Sequence, residues 1–125
     1  MAVETITDKK YNFPDFKKGD SFAKGGKVFQ FQVEKPDGTA PDATLSAVKI
    51  DFRRSNDLDT IEKSISNTSG ITITDTVNWI FEIDIFTIDW DPGLISYDCE
   101  TTDSNDVITT VLGGITQINQ DITCV

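Results

Sequence analysis

Short runs in which every second residue is apolar set the main constraint on this chain. In Val28–Glu34, Phe29, Phe31 and Val33 alternate with Gln30, Gln32 and Glu34. A period of two sends successive side chains to opposite faces of an extended strand, so one face is dry and the other wet. The pattern recurs in Pro41–Arg54, where Val48, Ile50 and Phe52 are expected inside and Lys49, Asp51 and Arg53 outside. Gly70–Thr74 is a short β-branched strand of the same kind. In Trp79–Thr87, Trp79, Phe81, Ile83 and Ile85 share one face, opposite Ile80, Glu82, Asp84 and Phe86. Turn signals separate the runs: Lys18–Ser21, Gly25-Gly26, Pro36-Asp37-Gly38, Asp75–Asn78 and Pro92-Gly93.

Leu94–Thr123 carries the strongest hairpin signal. Ile95, Tyr97 and Cys99 alternate with Ser96, Asp98 and Glu100, and Ile108, Thr110 and Leu112 with Val107, Thr109 and Val111. An even loop over Asp103–Asp106 sets Thr102 opposite Val107, Cys99 opposite Thr110 and Tyr97 opposite Leu112. Ile95, Tyr97, Cys99, Ile108 and Leu112 then share one core face, and a slip of one residue would mix wet with dry. Gly113-Gly114 is expected to form a bulge or bend. Cys124 falls well beyond the partner of Cys99. A disulfide needs Cα atoms within about 7 Å, so both thiols are expected to be free.

Two segments read less simply. In Asn56–Ser66, Leu58, Ile61 and Ile65 have helical spacing, while Ile61, Lys63 and Ile65 fit a strand. Strand neighbours on both sides favour a loop followed by a short strand. Residues 1–17 read as an N-terminal arm: a frayed start, then a short edge strand near Lys10–Phe13 ended by Pro14. Residues 18–125 make up the remaining domain. About seven or eight short strands without a helix give an all-β, antiparallel sandwich.

Composition narrows the function. The chain carries a net charge of -10 and contains no histidine. Nucleic acid and anionic membrane surfaces are repelled by such a surface, so neither is an expected partner. Missing histidine removes the commonest general base and metal ligand, and two cysteines alone do not make a structural zinc site. No apolar run reaches the ~18 residues of a membrane span, and the N-terminus lacks a secretory apolar core. Synthesis and folding in a reducing cytoplasm are therefore expected.

Candidate chemistry is sparse. Asp89 and Asp91 flank Trp90, and Asp103 and Asp106 bracket a loop, but calcium asks for six or more oxygens and each pair offers only a start. A solvated turn is the simpler reading of both. The Asp89/Asp91 pair is also the best acid–base candidate, with nothing to position it. Arg53-Arg54 reads as a cap on the surrounding acidic surface rather than an anion site. No catalytic, cofactor-binding or metal-binding residue is assigned, and no cofactor is expected.

The order of motifs resembles a module of tailed-phage virion proteins, best known as the N-terminal domain of the upper baseplate protein of lactococcal siphophages. The matching pieces are Gly19-Asp20 before the strand Val28–Glu34, the Asp37-Gly38 turn and the Ala47–Arg53 strand. They continue with Gly70–Thr74, the Gly93–Asp98 strand with its Tyr97-Asp98, the Asp103–Asp106 hairpin and the Gly113–Thr123 strand. The resemblance spans about residues 18–123 and is carried by motifs that are individually common. It implies an immunoglobulin-like sandwich, a structural or adaptor role in a virion assembled in the host bacterial cytoplasm, and no catalysis. Expected partners are other phage structural proteins or further copies of the chain, met at edge strands, at the aromatic arm, or at the Ile80/Glu82/Asp84/Phe86 face. The competing expectation is a carbohydrate- or cell-surface-binding sandwich. There Trp90, in a loop, would be the exposed stacking platform, with Trp79 and Tyr97 more at home in the core.

Overall fold

A computed structural model of the chain describes residues 3–6, 9–35 and 37–120. All regular structure in them is β-strand. The strands are β1 (Val3–Ile6), β2 (Lys9–Lys10), β3 (Phe16–Lys17), β4 (Phe29–Val33), β5 (Leu45–Arg54), β6 (Asp57–Ser66), β7 (Ile71–Asp75), β8 (Ile80–Ile83), β9 (Gly93–Asp103) and β10 (Ile108–Asn119). One sheet has the order β1-β4-β8-β7. The other runs β2-β10-β9-β5-β6, with β3 also paired to β10. Pairing is antiparallel except where the N-terminal strands join: β1 on β4, and β2 and β3 on β10. Inward side chains of both sheets belong to one buried cluster, as in a β-sandwich.

Alternation explains the core where it is clean. Phe29, Phe31 and Val33 of β4 are buried, as are Val48, Ile50 and Phe52 of β5 and Ile95, Tyr97 and Cys99 of β9. Asp51 keeps its outward face but is not wet. It is buried beneath its neighbours, accepting from Ser64 Oγ at 2.6 Å and Arg53 Nη2 at 3.3 Å, with Lys49 Nζ at 3.8 Å.

Several expectations are corrected. The segment expected to start as a loop is one ten-residue strand, β6, paired with β5; of its aliphatic residues only Ile65 is buried, while Leu58 and Ile61 are exposed. The strand expected over Trp79–Thr87 is only Ile80–Ile83. Asp75 Oδ1 accepts the Val77 and Asn78 amides at 3.0 and 2.9 Å, and this turn delivers Trp79 with φ 57°, off the strand but into the core. Beyond Ile83 the chain leaves the sheet: Ile85 is exposed, and Phe86 turns inward to stack on Phe22 at 4.8 Å and 11°.

The β9–β10 register departs from the even-loop expectation, by one residue before a bulge and by two after it. Thr102 faces Ile108, and Leu112 faces Cys99. The irregularity falls between Thr110 and Leu112, which leaves Val111 as the extra residue, and Val111 and Leu112 are both buried. A bulge that turns two consecutive residues to one face lets the hairpin start with Ile108 outside, where it is 64% exposed, and finish with Ile118 inside. Gly113 and Gly114 continue the ladder opposite Asp98 and Tyr97 and are not the bulge. Gly114 serves a close approach instead. A Cβ there would lie 2.0 Å from the Tyr11 oxygen.

Tyr11 belongs to the segment that closes the fold. The Tyr11 and Phe13 amides donate to the Gly113 and Ile115 oxygens at 2.9 and 3.0 Å, extending the pairing begun by β2. Phe13 lies against Phe22, Phe29 and Tyr97 with ring centroids 4.7–4.8 Å away, and Phe16 packs on Phe22 at 5.0 Å. Two of the arm's aromatic side chains are therefore core residues of this same chain. Cys99 is a free, fully buried thiol, while Cys124 lies outside the described residues.

Candidate interaction surface

The aromatic side chains proposed for sugar stacking are all inside. Trp90 is 2% exposed, packed on Phe52 at 5.0 Å. This corrects the expectation of an exposed loop tryptophan. Trp79 is also buried, with its Nε1 donating to the Ala43 oxygen at 2.8 Å, and Tyr97 donates its hydroxyl to the Tyr11 oxygen. Burial pushes the Tyr97 phenol well above its usual range, with Cys99 and Tyr11 adding to the shift. It likewise pushes the Cys99 thiol up, helped by Asp98 and Glu100. Both groups are protonated at neutral pH.

Of the singled-out charges, Asp91, Asp103, Arg53 and Arg54 are spent on the fold, while Asp89 and Asp106 are exposed. Asp91 meets Lys18 Nζ at 3.1 Å. Asp103 Oδ1 accepts the Asn105 and Val107 amides at 2.8 and 3.0 Å, which builds the hairpin turn. Arg53 bridges Asp51 and the Leu58 oxygen. Arg54 pairs with Glu62 at 2.7 Å and sends its two terminal nitrogens to the Pro92 and Asp91 oxygens at 3.2 and 2.8 Å. Gly93 makes room for that fork: its φ is +142°, and a Cβ would sit 2.8 Å from Arg54 Nη1. Among the described residues, no three Cys, Asp or Glu side chains are grouped to share a metal ion.

The edges at β6, β7 and β2/β3 carry features that discourage strand addition. In the outer edge strand β6, pairing shifts between Phe52 and Arg53 and again between Arg53 and Arg54. Lys63 of β6 points inward, its ammonium 4.6 Å over the Phe86 ring. The β7 edge is short and irregular between Ile73 and Asp75. On the opposite side β2 and β3 are two-residue strands interrupted by Pro14. The side of the chain that carries Glu82, Asp84 and Phe86 is polar or closed. Glu82 meets Gln30 at 3.4 Å, Asp84 accepts from Thr72 at 2.8 Å, and Phe86 is packed against the core.

What remains open is one end of the sandwich. There Leu45 pairs with Asp103 and donates its amide to the Thr76 oxygen at 2.9 Å, and Ser104 donates to the Thr44 oxygen at 2.9 Å. The β7–β8 turn, the 41–45 segment and the β9–β10 hairpin are thereby held together. A groove of about 390 Å³ runs between the sheets here, lined by Val33, Trp79, Thr101 and Val111 and rimmed by Glu34, Asp42 and Asp103. Val77, Val107 and Ile108 stand out from the same end at 62, 54 and 64% exposure, three of the four most exposed large apolar side chains described. Isolated exposed aliphatics are ordinary; Val77 and Val107 stand on adjoining loops at this end, while Ile108, paired with Thr102, faces the outer side of the sheet. Sequence reading placed Ile108 in the core and attached no role to Val77. The signal it lacked was the odd, five-residue connection between the paired Thr102 and Ile108.

Comparison with protein-family models, curated proteins and solved structures finds no match to this chain.

Proposed function

We propose that this chain is a non-catalytic structural or adaptor module that works by protein–protein contact, as a component of a tailed-phage particle. The observation that supports the contact role is the open end of the sandwich, where a groove lies between the sheets and Val77 and Val107 are exposed on the loops next to it. Loops held by a tightly packed body lose little freedom on docking, which favours recognition over chemistry. The phage assignment rests on the motif order from Gly19-Asp20 to Thr123.

The immunoglobulin-like arrangement is part of the same proposal. Naming the strands A to G, β1-β4-β8-β7 follows the order A-B-E-D and β10-β9-β5-β6 the order G-F-C-C′, with the difference that β1 runs parallel to β4 where strands A and B are antiparallel. Tyr97 and Cys99 stand two apart on β9, the F position, as a tyrosine and a cysteine do in antibody domains. The hydroxyl of Tyr97 goes to the N-terminal segment at Tyr11, a different partner from the upstream backbone of that pattern.

Mass spectrometry of density-purified phage particles from the producing host tests the assignment. The chain should be present in stoichiometric amount. Its absence from particles, with the protein free in the lysate, would overturn the virion role.

A further inference from the structure

The two halves of the N-terminal segment are anchored unequally. Residues 9–17 are tied down at many points. Besides the Tyr11 and Phe13 amide bonds, the Ile115 amide donates to Asn12 Oδ1 at 3.1 Å and Thr116 Oγ1 donates to the Pro14 oxygen at 2.9 Å. Phe13 and Phe16 are buried as well. β1 has much less. It is four residues long, lies at the end of its sheet and pairs with β4 alone. That pairing is parallel, which is slightly weaker per residue than antiparallel pairing. Two residues separate Ile6, in one sheet, from Lys9, in the other.

β4 does not depend on β1 for its place. Phe29, Phe31 and Val33 are buried, and β8 pairs with β4 without a shift from Phe29↔Ile83 to Gln32↔Ile80. Loss of β1 therefore breaks one short ladder and leaves β4 held from its other side.

Backbone alternation shows what that ladder covers. The Val33 amide donates to the Trp79 oxygen, on the β8 side. Successive amides of a strand point to opposite edges, so those of Phe29 and Phe31 also face β8, and those of Gln30 and Gln32 face β1. Uncovered, Gln30 and Gln32 would present donors and acceptors along an unbulged edge, which is a template for pairing with other chains. The edges at β6, β7 and β2/β3 carry their own deterrents. The β4 edge has only β1 over it.

We infer that β1 is a guard strand: it closes the pairing edge of β4 and opens on its own, without unfolding of the sandwich. Opening needs no virion partner, so its test stands apart from the particle assignment.

Native-state hydrogen exchange on the full chain is that test. After correction for intrinsic rates, the Gln30 and Gln32 amides should exchange on the order of a hundredfold faster than those of Phe31 and Val33. Low urea should leave the fast pair unchanged, because a small opening exposes little surface, whereas Phe31 and Val33 should follow global unfolding and respond steeply. A disulfide lock supplies a second arm. Thr5→Cys with Gln32→Cys, in a Cys124→Ser background, places two thiols at register partners on neighbouring strands about 4.8 Å apart, within bridging range. Closing the lock should slow the Gln30 amide by about tenfold or more and leave Phe31 as it was, and reduction should reverse the effect. Gln30 and Gln32 amides as slow and as urea-dependent as Phe31, or a closed lock that leaves Gln30 unslowed, overturns the inference.

Discussion

Tyr97 donates its hydroxyl to the main-chain oxygen of Tyr11, and that oxygen occupies the space a side chain at position 114 would need. This hydrogen bond and the missing methyl add to the Tyr11 and Phe13 amide bonds that hold the N-terminal segment along β10. The same contact brings Phe13 over Tyr97, at 4.7 Å between ring centroids, and so seals the core between the sheets.

Gly114→Ala should therefore act on the N-terminal segment first. Its Cβ would meet backbone, not a movable side-chain end, at Tyr11. We expect a loss of about 2–4 kcal/mol in urea unfolding. Tyr97→Phe should cost only about 1–2 kcal/mol, the worth of the buried hydrogen bond with its acceptor left unpaired. In the double variant the losses should fall short of additive, because the alanine already displaces the acceptor.

Phe13→Ala should lose about 3–5 kcal/mol, as for a large side chain deleted from a packed core. Phe13 is 4% exposed and touches rings from both sheets. An arm that packs only on neighbouring molecules would tolerate the change, with an unfolding midpoint unaltered in dilute solution.

The Cys99 thiol should resist alkylation until the protein unfolds. Burial raises its pKa, so the reactive thiolate is scarce as well as shielded. In a Cys124→Ser variant, iodoacetamide labelling near neutral pH should track global unfolding in urea. Raised folded-state pKa values at Cys99 and Tyr97 mean that the native state holds these protons more tightly than the unfolded chain. Their contribution is intact below the unfolded pKa values, about 8.5 and 10, and is lost as pH climbs above them. Stability should thus fall on the alkaline side, and less steeply in Tyr97→Phe.

Arg54→Lys should loosen the join between the β5–β6 hairpin and the 91–93 loop, at a cost of about 1–2 kcal/mol. A lysine provides charge for Glu62 but not the fork that reaches the Asp91 and Pro92 oxygens. Hydrogen exchange should quicken around Gly93 and Leu94 before the sheet as a whole is affected.

Period-two alternation made β4, β5 and the inner face of β9 legible from sequence, because each has one wet and one dry side. It failed where the chain breaks phase. Five residues, not four, separate the paired Thr102 and Ile108, which sends Ile108 outside, and the Val111 bulge then returns Leu112 to the core. Asp75 capped a turn that ended alternation at Trp79, and the inward Phe86 lies beyond the strand. The exposed run Asp57–Ile61 gave β6 no dry face to read, so its pairing with β5 was hidden. Trp90 looked like a loop residue and is one, but a loop crossing the end of a core can be buried. The open end was illegible for a related reason. It is assembled from three segments distant in sequence, which only the Leu45 contacts to Asp103 and Thr76 bring together.

Hydroxyl-radical footprinting of the assembled against the dilute chain tests the contact role most directly. On this account, oxidation of Val77 and Val107 falls several-fold on assembly, while Ile61, on the β6 edge, changes little. Unchanged oxidation at those two residues, with protection appearing along β6 or β7 instead, would contradict it.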